Sequence, residues 1–115
     1  MINNDKELLL KDLSARLPYG VKLKFNYIIT SPAILKGINK DFIECDIAAC
    51  ELEDVKPYLF PISSITKEQK EDMIKSSCGI GSDKNVFDWY NKNHIDYRRL
   101  IPMGLAIDAT GLNIY

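Results

Sequence analysis

VKLKFNYIIT, residues 21–30, is the stretch whose reading decides the fold. Val21, Leu23, Phe25 and Tyr27 alternate with Lys22, Lys24 and Asn26. That is the period-two pattern of a strand with one buried and one wet face. Beyond Tyr27, Ile28 and Ile29 stand side by side, as expected where both faces become covered. The pattern predicts a strand over 21–30, with other segments pairing to it or packing on it.

Upstream, Asn4 is placed to cap a helix and Glu7 to complete a capping box. Leu9, Leu10, Leu13 and Leu17 recur at helical spacing, with Lys6, Lys11 and Asp12 on the opposite side. Pro18 and Gly20 stop the helix, so it is predicted over 5–17. So short a helix is not stable alone, and its leucine face needs a sheet beneath it.

Downstream, Ser31-Pro32 turns the chain into a short strand at 34–38, interrupted by Gly37. Asn39-Lys40-Asp41 turns it again into a third strand at 42–47, where Ile43, Cys45 and Ile47 share one face. Three strands with short connections predict an antiparallel meander. Residues 44–54 hold five acids and no base. Next comes VKPYLFP, 55–61, whose two prolines cannot donate ladder hydrogen bonds; it reads as an edge strand or a crossing segment. Thr66 and Gln69 form a second capping box before a surface helix that Gly79 ends. A polar loop, 80–84, leads to a helix at 85–94 on which Val86, Phe87, Trp89 and Tyr90 cover much of the circumference. A helical turn at 96–100 stops at Pro102, and 105–107 forms a short last strand.

These elements predict one α+β domain spanning 1–115. Its small, twisted antiparallel sheet has about three to five strands, or curls toward a small barrel, and two or three helices flank it. The expected core is Leu9, Leu13, Leu17, Leu23, Phe25, Ile43, Ile47, Leu59, Phe87, Tyr90, Leu100 and Leu105.

Composition narrows the function classes. Hydrophobic residues make up 46% and charged residues 27%, an ordinary globular profile, and the net charge is -1. Nucleic-acid binders usually carry a basic excess, so nucleic acid is not the expected partner. No apolar run is long enough to cross a bilayer and the N-terminus is not a signal peptide, which predicts a cytoplasmic protein with no membrane partner. The cysteines Cys45, Cys50 and Cys78 are expected as reduced thiols.

No chemical motif stands out. Cys45 and Cys50 have knuckle spacing, but no second pair closes a zinc site, and Cys45 reads better as a buried, unreactive filler. His94 is the single histidine, and no local signature joins it to a cysteine, so a small Cys/His enzyme is the weakest hypothesis. Gly79-Ile80-Gly81-Ser82 lacks the Gly-Lys-Ser/Thr of a phosphate loop. No catalytic, cofactor-binding or metal-binding residue is assigned. Lys92, Tyr97, Arg98 and Arg99 form the one basic–aromatic grouping and carry the alternative of a nucleic-acid-associated protein. The leading expectation is a non-catalytic protein-interaction or adaptor module, binding an unknown protein or a second copy of itself. Its surface would come from Tyr58, Phe60, Trp89, Tyr97, Arg98 and Arg99, since so small a core does not need every aromatic ring.

Three stretches carry a resemblance: DLSARLPYGVKLKF (12–25), VKPYLFPISSIT (55–66) and DWYNKNHIDYRRLIPMGLAI (88–107). In this order they resemble a family of small uncharacterised proteins widespread in gut bacterial genomes and in their phages and other mobile elements. The resemblance implies a cytosolic bacterial or phage context. It carries over no activity, cofactor or site residue.

Overall fold

The proline-bearing strand is paired on both sides. In a computed structural model that describes residues 3–25, 32–39, 42–46, 49–76 and 83–115, β5 (Val55–Pro61) is the longest strand. Strand β1 (Lys22–Phe25) pairs with it antiparallel, through Leu23 opposite Pro57 and Phe25 opposite Val55. Two dipeptide strands, β6 (Ile95–Asp96) and β7 (Ile107–Asp108), pair with it in parallel. The expected edge strand is therefore interior.

Parity explains why two prolines are tolerated there. Successive residues of a strand direct their N–H and C=O groups to opposite sides. The Val21 carbonyl accepts from Leu35 on the β2 side, so Lys22 and Lys24 face β5, and Lys56, Tyr58 and Phe60 face back toward β1. Phe60 N–H donates to the His94 carbonyl at 2.8 Å, which puts β6 on that same side, end to end with β1. Pro57 and Pro61 have the other parity. Both missing donors point toward β7, which bonds only between them, its Ala109 N–H reaching the Leu59 carbonyl at 2.8 Å. Prolines four apart leave one side of the strand intact.

The rest of the sheet is the expected meander, extended. Strands β2 (Ala33–Ile38), β3 (Ile43–Cys45) and β4 (Ala49–Cys50) follow antiparallel from β1. The interruption expected at Gly37 is a register shift between Leu35 and Gly37. A Cβ at Gly37 would stand 3.0 Å from the Glu44 carboxylate. Among the described residues, the order β4-β3-β2-β1-β5-β6, with β7 also on β5, makes a seven-stranded mixed sheet. It has more strands than expected, is not wholly antiparallel and does not close into a barrel. The dipeptide strands account for the difference, because two residues carry no periodicity to read. Residues 26–30 of the expected long strand, Ile47, Cys78 and 79–82 lie outside the described residues.

Three helices flank the sheet: α1 (Asn3–Arg16), α2 (Lys67–Ser76) and α3 (Asp83–Lys92). At α2 the capping box forms as read: Gln69 N–H donates to Thr66 Oγ1 at 3.1 Å, and Thr66 N–H to Gln69 Oε1 at 2.9 Å. A 3₁₀ turn, Leu17–Tyr19, ends α1, and Gly20 caps it at φ 64, where a Cβ would be strained. Leu9, Leu13, Val21, Leu23, Leu35, Ile43, Val55, Leu59 and Leu100 form the core, each leucine contributing about 1.5–3 kcal/mol of burial. Leu17 is partly buried against them.

Four expectations are corrected. Phe87 is 46% exposed, and Tyr90 is only half-buried. Asp12, expected on the wet side of α1, is fully buried with Arg16. Cys45 is half-buried and it is Cys50 that is enclosed, because Cys50 lies opposite Ile43 on the inner face. The turn expected at 96–100 begins as β6, after which the Asp96 carboxylate accepts the Leu100 and Ile101 N–H groups at 2.8 and 2.9 Å. Among the described residues no helix is long and apolar enough to cross a membrane.

Candidate functional site

Three side-chain constellations surround Ile95–Asp96. The first is charged. Asp12 and Arg16 stand four apart on α1, so they meet on one face, with Arg16 Nε 2.8 Å from Asp12 Oδ2. Arg98 Nε donates to the other carboxylate oxygen at 3.1 Å, and its Nη2 donates to the Tyr97 hydroxyl at 2.8 Å. Arg16 Nη2 donates to the Ile95 carbonyl at 2.6 Å, which ties α1 to β6. Burial pushes the Asp12 carboxyl up, while the hydrogen bond and charge of Arg16 and then the charge of Arg98 pull it back. Two guanidiniums share the Asp12 carboxylate beneath Tyr97, and the buried Asp96 carboxylate also acts on this cluster.

The second constellation is an aromatic row on that charge. Tyr97 stacks on Tyr90 with centroids 5.4 Å apart and lies 5.2 Å from Phe87. The Arg98 guanidinium sits 4.7 Å above the Tyr97 ring and that of Arg16 at 5.4 Å. Trp89 meets Tyr90 edge-on at 6.1 Å but is itself buried, its Nε1–H donating to Asp72 Oδ2 at 2.9 Å across to α2.

The third constellation is an open cleft of about 460 Å³ around His94, bordered by Phe60, Gln69, Asn93, Ile95 and Tyr115. His94 follows α3 in the left-handed conformation, φ 60, a position that glycine usually takes. Its carbonyl is pinned by Phe60 N–H, and its ring stacks on Tyr115 at 3.8 Å and 15°. Burial, then the charges of Arg16 and Lys22, lower the imidazole pKa to about 4. Nδ1 is fully buried and has no hydrogen-bond partner. The Tyr115 hydroxyl accepts from Lys22 N–H at 2.9 Å and donates to the Tyr58 carbonyl at 2.7 Å. It thus bridges β1 and β5 one step beyond their last paired residues.

The structure therefore disperses the six residues chosen from sequence. Tyr97 and Arg98 join the charged network, and Trp89 packs between α2 and α3. Phe60 borders the His94 cleft, 5.8 Å from Tyr115, and Tyr58 reaches Tyr115 through its carbonyl. Arg99, exposed and at φ 60, lines a separate cleft of about 510 Å³ with Ile62, Asp96, Ile101, Pro102 and Asp108. Asp12, Arg16 and Tyr115 were missed. The i, i+4 spacing of the first two was a signal; nothing marked Tyr115.

Cys45 and Cys50 do not meet His94. They lie on β3 and β4, at the opposite end of the pairing order from β6. Burial, then Cys45 and Asp54, push the Cys50 thiol up to about 11, so it stays protonated. Among the described residues, no three His, Cys, Asp or Glu side chains are grouped to hold a metal ion. No protein-family model matches the sequence, and neither a curated protein nor a solved structure matches it.

Proposed function

We propose that this chain is a non-catalytic binding module that engages a protein partner through the Phe87–Tyr90–Tyr97 row. The observation that carries the reading is the Phe87 ring, 46% exposed yet packed at a tilt against Tyr97. Rings held rigidly by their neighbours lose little entropy on binding, and aromatic side chains dominate interface energetics. A partly exposed aromatic row of this kind favours an apolar partner segment. The resemblance to gut-bacterial and phage proteins supports a partner in a bacterial cytosol.

The other readings gain less. A nucleic-acid surface would need Arg98 free and a Tyr97 face open, but Arg98 is held by Asp12 and Tyr97 is occupied by Tyr90 and Arg98. A Cys/His enzyme would need a thiol near His94, and neither Cys45 nor Cys50 is close to it. An imidazole with a pKa of about 4 is also a weak general base at neutral pH.

The test places a photo-crosslinking phenylalanine analogue at position 87, and at Leu112 as an exposed control. The expected result is one discrete adduct from position 87, either a dimer of this chain or one second protein, absent from Leu112 and lost on Tyr97→Ala. Diffuse or equal products from both sites sink the reading. Phe87→Ala itself should move stability by no more than about 0.5 kcal/mol, as for a surface change. If it unfolds the monomer, the ring is core and the interface does not exist.

A further inference from the structure

The geometry points to the His94 cleft as a binding site for a small, uncharged, planar molecule with a hydrogen-bond donor and acceptor side by side, the edge shared by nucleobases and aromatic carboxamides. Its size falls within the ~300–1,000 Å³ of small-molecule sites. Phe60, Ile95 and Tyr115 supply apolar wall, and among the described residues no Asp, Glu, Lys or Arg lines it. The two cations whose charges reach His94 bond elsewhere: Arg16 to Asp12 and the Ile95 carbonyl, Lys22 to the Ile114 carbonyl. Neither cation lines the cleft, so a charged ligand would make no direct ion pair there, and desolvating it would oppose binding.

The open polar atoms follow from those already used. Gln69 gives its Oε1 to the Thr66 N–H, which fixes the amide orientation and leaves its NH₂ as a free donor. Asn93 donates Nδ2 to the Trp89 carbonyl at 3.0 Å, which leaves Oδ1 as a free acceptor. Ser64 donates its hydroxyl to the Pro61 carbonyl at 2.6 Å and keeps its lone pairs. With Nδ1 of His94 buried, Nε2 is the ring nitrogen left toward the cleft. One carboxamide donor, one carboxamide acceptor and a stacked neutral imidazole match an amide-like edge on a flat ring. A site built on such groups rejects molecules that leave them unpaired.

The experiment titrates the full chain with uracil, nicotinamide and benzoate, reading side-chain amide and backbone resonances by ¹H–¹⁵N NMR. Saturable shifts at Gln69, Asn93 and His94 are expected from uracil or nicotinamide, with a dissociation constant on the order of 1 mM for fragments of this size. Uracil alone identifies a nucleobase site, and nicotinamide alone a carboxamide site. Gln69→Glu keeps the capping acceptor for Thr66 but replaces the donor with a carboxylate, so it should weaken binding at least about tenfold with the fold intact. Arg99→Ala, in the other cleft, should leave binding unchanged. The proposal is overturned if neither neutral probe saturates, if benzoate binds as tightly, or if Gln69→Glu binds like the parent chain.

Discussion

Two polar environments are buried on either side of Ile95–Asp96, and they are built by opposite means. On the α1 side the groups are charged: Asp12 and Arg16 are fully buried and held in a network of ion pairs and hydrogen bonds. On the cleft side the central group is kept neutral: His94 gives up its proton and stacks on a ring. Charge in a dry interior survives only when paired, whereas a titratable ring can escape the desolvation penalty by deprotonating. The two sides should therefore fail differently, the first when a partner is removed and the second when a proton is added.

The largest effect expected is at the first. Asp12→Ala leaves the buried Arg16 without its carboxylate and should destabilise the domain by about 3–5 kcal/mol. Chemical denaturation checks this, and a loss below about 1 kcal/mol would show that Arg16 finds water or swings out. Arg98→Ala, which removes the more exposed arm of the network, should cost clearly less.

An intermediate effect is expected at the hydroxyl beneath the histidine. Tyr115→Phe keeps the ring stack but unpairs the Lys22 N–H and the Tyr58 carbonyl, a loss of about 1–2 kcal/mol. An unchanged melting temperature would mean that water replaces the hydroxyl without loss.

The smallest is the proton itself. The His94 pKa is about 4 when folded against an ordinary value of 6.5, so between these the unfolded chain binds the extra proton. Stability contributed by the neutral ring is therefore complete above pH 6.5 and falls as the pH drops toward 4. From pH 7 to 5 the loss should be about 1 kcal/mol, after discounting the shift because the ring is only partly buried. The cations Arg16 from α1 and Lys22 from β1 face this ring and act in the same direction. His94→Asn tolerates the left-handed backbone and should flatten the profile over that range. A profile that the variant leaves unchanged would assign the proton to another group.

The same contrast shows what could be read from the sequence. The first meander was legible because Val21, Leu23 and Phe25 alternate with Lys22 and Lys24 over a face that is wet on one side. The α2 capping box was legible because both partners lie within three residues. Asp12 was misread because helical periodicity assigns faces by polarity: its main partner, Arg16, was in view four residues on, but the second, Arg98, lies 86 residues away. VKPYLFP was misread because proline was counted as a loss on both sides of a strand. The four-residue spacing that puts both losses on one side was already in view. Phe87 was taken for core because an apolar residue on a helix does not declare whether protein or solvent covers it.

The Tyr115 hydroxyl has a consequence for the order of events in folding. It closes the seam between Lys22 and Tyr58 from 93 and 57 residues away. Links of such long range carry a large loop-closure entropy and tend to form late. The β1–β5 ladder can assemble before segment 109–115 docks, and it must remain open by one rung until then. Undocking that segment exposes the Lys22 amide while the pairing of Leu23 with Pro57 persists. The amide hydrogen of Lys22 should then exchange at the low free energy of a local opening, while the Lys24 amide, facing β5, waits for the sheet itself to open.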